Sequence, residues 1–97
     1  MNNKDRQQLR GMASLMPAVV QIGKDGLSDA VIDSARAAIT ARELIKAHVL
    51  NNANLPTKGT MEDLADMLGA ELIQVIGHYG ILFKKKDKKS KYEFIKD

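Results

Sequence analysis

Gly23 and Gly26 stand three residues apart, with Lys24 and Asp25 between them and Ser28 two residues beyond. The preceding Val19-Val20-Gln21-Ile22 is of strand type. Leu27, Val31, Ala35 and Ile39 then recur every fourth residue, the spacing of one helix face. Strand, glycine loop and helix N-terminus are together the ingredients of an anion site. Glycine lets backbone approach a ligand closely, and the first amides of a helix have no partner inside it. Lys24 adds a mobile cation at the tip. Taken alone, the same four residues also make a plain tight turn.

Other chemistries find little support. No Gly-Lys-Ser/Thr closes a P-loop, and there is no GxGxxG for a dinucleotide. In KH domains a GxxG loop joins two helices, whereas here a strand precedes it. His48 and His78, the only histidines, lie too far apart for a ligand pair, which makes them a sheet-surface and a turn residue. Cysteine is absent, excluding disulfides and thiolate metal sites. Asp29 with Asp33, and Glu62 with Asp66, read as solvated helix surface. No serine has positional logic as a nucleophile. Neither enzymatic activity nor a cofactor, metal or small-molecule substrate is expected.

Ninety-seven residues make one domain, which buries roughly 60–65 % of its unfolded surface. Hydrophobic residues are 44 % and aromatics only 4 %, so aliphatic side chains and methionines must fill the core. No apolar run is long enough to span a membrane. Met12–Val20 is interrupted by Pro17 and lacks a cleavage site, so it is not read as a signal segment. A cytoplasmic location is expected. Charge is unevenly placed. Residues 84–97 carry seven lysines against three carboxylates, a net of +4, while eight cations and nine carboxylates leave residues 1–83 at −1. A cationic end of this kind suits a polyanionic partner, or simply solubilises the domain.

The elements that must position the loop follow in order. Asn3–Met16 reads as a helix closed by Pro17, with Gly11 at a close packing contact. Ala18–Ile22 is a short apolar strand, expected at the centre of a sheet. Ser28–Ala41 is a helix capped by Ser28. Glu43–Leu50 is a strand whose Ile45, Ala47 and Val49 face one way and Leu44, Lys46, His48 and Leu50 the other. Residues 51–59 form a loop. A capping box over Thr60–Asp63 opens a short third helix, which stops at Gly69. Glu71–Ile76 is a strand, Gly77–Gly80 a four-residue turn, and Ile81–Lys85 a further strand. Tyr92, Phe94 and Ile95 could add a short edge strand. The expected fold is α/β, a single small domain with a four-stranded mixed sheet and three packed helices, ordered α-β-α-β-α-β-β.

Several blocks together resemble one family. They are Leu9-Arg10-Gly11-Met12-Ala13, Pro17-Ala18-Val19-Val20-Gln21-Ile22-Gly23-Lys24-Asp25-Gly26-Leu27, and Glu43-Leu44-Ile45-Lys46. Gly69-Ala70, Gln74-Val75-Ile76-Gly77 and Leu82-Phe83-Lys84 complete the set. In this order they look like the CRM domain, for chloroplast RNA splicing and ribosome maturation, whose free-standing bacterial form is the YhbY type. The resemblance covers about residues 6–86, leaving 87–97 as a lysine-rich arm. It implies a fold similar to the C-terminal domain of a bacterial translation initiation factor, and an RNA-contacting glycine loop. It also implies association with large-subunit ribosomal RNA or its precursor particle. Gly23, Lys24 and Gly26 match the loop motif. His78 stands where the family commonly has Arg or Lys, and Phe83-Lys84 where it commonly has Tyr-Arg.

The expected RNA-binding residues are therefore Gly23, Lys24, Asp25, Gly26, Leu27, Ser28, Lys46, His78, Lys84, Lys85 and Lys86. The alternative is a small protein-interaction adaptor whose sheet edge or half-apolar second strand recruits a partner, the lysines only solubilising it.

Overall fold

A computed structural model of the chain describes residues 1–95. Its elements are α1 (Asn3–Ala13), β1 (Val20–Ile22), α2 (Asp29–Arg42), β2 (Leu44–Val49), α3 (Thr57–Leu68), β3 (Glu71–Ile76) and β4 (Tyr79–Phe83), with a 3-10 turn at Asn51–Ala53. The expected order and the mixed four-stranded sheet are both present. The strands lie in the order β1-β2-β4-β3. β1 runs parallel to β2, whereas β4 is antiparallel to both of its neighbours.

Alternation along β2 divides two cores. Ile45, Ala47 and Val49 join Val20, Ile22, Ala35, Ile39, Met61, Leu64 and Leu68 beneath α2 and α3. Leu44 faces the other way, with Ile73, Ile81 and Phe83, and is covered by Leu9 and Ala13 of α1. Gly80 marks the tightest approach of α3 to the sheet: a Cβ there would overlap the Met61 thioether.

Several boundaries differ from the sequence reading. α1 ends at Ala13; the Ser14 hydroxyl donates to the Gly11 carbonyl at 2.7 Å and residues 15–19 run out to β1. Gly11 is exposed, with nothing near the position of a Cβ. β1 is an edge strand rather than a central one; its Val20 and Ile22 are buried by α2, not by flanking strands. α3 starts at Thr57, after Pro56, and there is no capping box. Thr60 lies within the helix, 8 % exposed, its amide donating to the Pro56 carbonyl at 3.0 Å. The β3–β4 turn is only Gly77-His78, since Ile76 pairs with Tyr79. Gly77, at φ +57°, takes the first central position, where a II′ hairpin turn favours glycine. β4 accordingly runs from Tyr79 to Phe83 and not on to Lys85.

Glu43 is not a strand residue. It links α2 to β2 at φ +68° and is fully buried. Its carboxylate accepts the Lys86 and Lys91 amides, each at 2.9 Å, and the Ser90 hydroxyl. Burial pushes this carboxyl upward, but hydrogen bonds from Ser90, Lys86 and Lys91 outweigh that and hold its pKa below the ordinary 4.5. Residues 84–95 thereby fold back onto the domain. They form no strand; instead Tyr92 and Ile95 are buried in the α1-side core, with the Tyr92 ring edge-on to Phe83 at 5.2 Å. Burial and the Glu43 charge together raise the Tyr92 pKa above 10.0.

Candidate nucleic-acid interface

The glycine loop is a closed turn, the Gly26 amide donating to the Gly23 carbonyl at 3.0 Å. Gly26 is required for its backbone, at φ +65°, since a Cβ would have ordinary room beside Leu55. Gly23 has neither positive φ nor a crowded Cβ position. Lys24 and Asp25 are exposed at the tip, while Leu27 packs on the core and fixes the entry into α2. The Ser28 hydroxyl accepts the Val31 amide at 3.3 Å. That leaves the Asp29 and Ala30 amides, which an α-helix cannot satisfy from within. Residues 23–29 hold Lys24 against Asp25 and Asp29, so the loop carries no net positive charge. Any attraction for phosphate there comes from backbone donors and a single mobile cation.

Main-chain hydrogen bonds gather three segments at this end of the sheet. The Leu50 amide donates to Ile22 at 2.9 Å and the Val49 amide to His78 at 2.8 Å. The turn carrying His78 is thus held beside the strand end from which the loop emerges. Lys46 lies further down β2 on the α1 side. Its Nζ is 3.4 Å from the Ser14 carbonyl and 5.8 Å from the centre of the Tyr79 ring, within cation–π range.

Lys84, Lys85 and Lys86 lie at the opposite end, because Phe83 pairs with Leu44. The intervening length of β2 is about 17 Å at ~3.3 Å per residue. The Lys84 ammonium caps the Leu68 carbonyl of α3 at 3.0 Å. That of Lys85 bonds the Ile95 carbonyl at 2.6 Å and stands 3.7 Å from Glu93. Lys86 gives its amide to Glu43. The fold therefore brings Gly23–Ser28 and His78 to one end, leaves Lys46 mid-strand with its ammonium beside Tyr79, and sets the three lysines at the other end.

Sequence reasoning missed the stacked pair His48 and Tyr79, whose ring centres are 4.3 Å apart and planes 11° from parallel. The alternation of β2 places His48 on this face, whereas the glycines on either side make Tyr79 look like a turn residue in the sequence. Among the described residues no group of three or more His, Asp or Glu could hold a metal ion. Among these residues no helix is long and apolar enough to cross a membrane.

Comparison with known proteins agrees with this architecture. A Bacillus subtilis protein named "Probable RNA-binding protein YqeI" is 31 % identical over 93 residues, covering 96 % of this chain and 97 % of the relative. A Haemophilus influenzae protein named "RNA-binding protein" is 27 % identical over 84 residues, covering 87 % of this chain and 85 % of its own. The solution structure of SAV1595 from Staphylococcus aureus, described as a candidate RNA-binding protein, superimposes with a TM-score of 0.67 at 32 % identity. That match covers 94 % of this chain and 97 % of SAV1595. The profile of the CRS1/YhbY (CRM) domain matches residues 1–84, and the chain belongs to that family.

Proposed function

We propose that this protein is a non-catalytic RNA-binding protein of the cytoplasm, acting on large-subunit ribosomal RNA in precursor particles. The observation that carries the reading is the Gly23–Gly26 turn. It delivers Lys24 and the free amides of α2 to one exposed end of the sheet, in a family whose relatives are named for RNA binding. Phosphate is held there by backbone N–H groups and Lys24, with His78 alongside and Lys46 further along the sheet. Lys84, Lys85 and Lys86, with the arm, form a second cationic patch that meets a longer RNA at the far end.

Ultraviolet crosslinking in cells, with sequencing of the recovered RNA, tests this. Enrichment of large-subunit ribosomal RNA and its precursors is expected. Recovery of no RNA above background contradicts the reading and leaves the adaptor role.

A further inference from the structure

The sheet face opposite α2 and α3 is covered over only half its length. α1 and the buried Tyr92 and Ile95 close over Leu44, Ile73, Ile81 and Phe83, but α1 stops at Ala13. Beyond it one row crosses all four strands in register. Gln21 pairs with His48, His48 with Tyr79, and Tyr79 with Ile76. None of the four is buried, Tyr79 being 41 % and Ile76 57 % exposed. Tyr79 and Ile76 pair across β4 and β3, so their exposed apolar surfaces adjoin.

The chemistry of the face selects its occupant. His48 and Tyr79 stack on each other in the middle of the row, between Gln21 on β1 and Ile76 on β3, with the Lys46 ammonium 5.8 Å from the centre of the Tyr79 ring. Beside Tyr79 and Ile76 is a groove of about 250 Å³, whose other walls are Ser14, Lys46, Gln74 and Ile81. It offers a π surface, an aliphatic wall, an amide and a hydroxyl, and a cation at its rim. No carboxylate lies in the row or the groove. A flat, polar-edged, anionic-backboned ligand matches every one of these features. Unpaired nucleotides are such a ligand, whereas bases in a duplex have no free face to offer.

We propose that this half-face is a stacking platform for unpaired bases of the RNA whose backbone the glycine loop holds. The inference rests on the RNA-binding reading and adds the form of RNA that the site accepts. Position supports it, for β1 leads from Gln21 through Ile22 directly into Gly23, and His78 of the loop end precedes Tyr79. A strand anchored at the loop passes straight onto the row. Four strands about 4.8 Å apart give room for two or three bases.

The test uses a labelled ten-nucleotide single-stranded RNA and an RNA duplex of equal length, titrated against the full chain at several salt concentrations. The parent is expected to prefer the single strand. Tyr79→Leu should weaken that binding by about fivefold to 150-fold, the range for one stacked base, and Ile76→Glu should weaken it too by placing a carboxylate beside the ring. For Tyr79→Leu the salt slope should not change, because no phosphate contact is lost. Restoring the ring as Tyr79→Phe should recover the affinity. Thermal melts confirm that each variant is folded. Single-strand binding unaltered by Tyr79→Leu and Ile76→Glu, or a parent that prefers duplex, overturns the platform but leaves RNA binding standing. A parent that binds neither RNA overturns the RNA-binding reading itself and leaves the face to a protein partner.

Discussion

The Val49 amide donates to the His78 carbonyl at 2.8 Å, pinning the β3–β4 turn beside the end of β2. The main chain of His78 does the positioning, and its side chain is exposed. His78→Arg should therefore leave the melting temperature unchanged while adding a cation at the loop end of the sheet. RNA affinity should rise, and the plot of log affinity against log salt should steepen by about 0.7–0.9. Titrations at three or more salt concentrations decide this.

The two loop glycines should separate stability from binding. Gly26→Ala forces a side chain into φ +65° and should cost about 1 kcal/mol in urea unfolding. Gly23→Ala meets only the Leu50 methyl at 3.9 Å, so stability should hold within about 0.5 kcal/mol. If backbone at this turn touches phosphate, Gly23→Ala still weakens RNA binding, whereas a plain turn would tolerate it.

Glu43 should dominate acid sensitivity. Glu43→Gln removes a buried charge that accepts two amides and a hydroxyl, and should destabilise the chain by about 2–4 kcal/mol at neutral pH. Because the folded pKa lies below the ordinary 4.5, the charged form stabilises the fold above that value. This stability drains away as pH falls through the lower folded value. Urea midpoints of parent and variant should thus converge in acid and stay apart above it. Parallel curves throughout would show that the carboxylate charge is not what holds residues 86–91.

The arm is joined to the core, so truncation is a poor probe of its charge. A chain ending at Lys86 loses buried Tyr92 and Ile95 and should lose roughly 3–6 kcal/mol. Lys88→Gln with Lys89→Gly removes two exposed charges instead, and relieves φ +59° at Lys89. That double variant should fold as well as the parent. Its salt slope should fall by about 1.4–1.8 if both lysines meet phosphate. An unchanged slope would make the arm a structural strap alone. Lys96 lies outside the described residues.

Local pattern made much of this fold legible. The four-residue repeat of α2, the alternation of β2 and the stop at Gly69 all depend on neighbours within a few positions. What escaped depended on distant partners. Glu43 looked like a strand residue because Lys86 and Lys91, which explain it, lie 43 and 48 residues away. Gly80 looked like part of a turn, yet its lack of a side chain serves Met61 on α3. Thr60 and Asp63 fitted a capping box, but Pro56 starts the helix a turn earlier and turns Thr60 inward. The loop at Gly23–Gly26 was visible as a motif, whereas the His48–Tyr79 pair needed the β2–β4 register. The separation of Lys84–Lys86 from the loop needed the same register.

The most direct measurement is a map of which residues RNA touches. The full chain is irradiated on a large-subunit precursor RNA fragment, digested, and its crosslinked peptides identified by mass spectrometry. Crosslinks are expected to concentrate on residues 23–28 and at Tyr79, with weaker ones among the lysines from 84 onward. Crosslinks confined to residues 84–95, or spread evenly over the surface, would contradict that expectation.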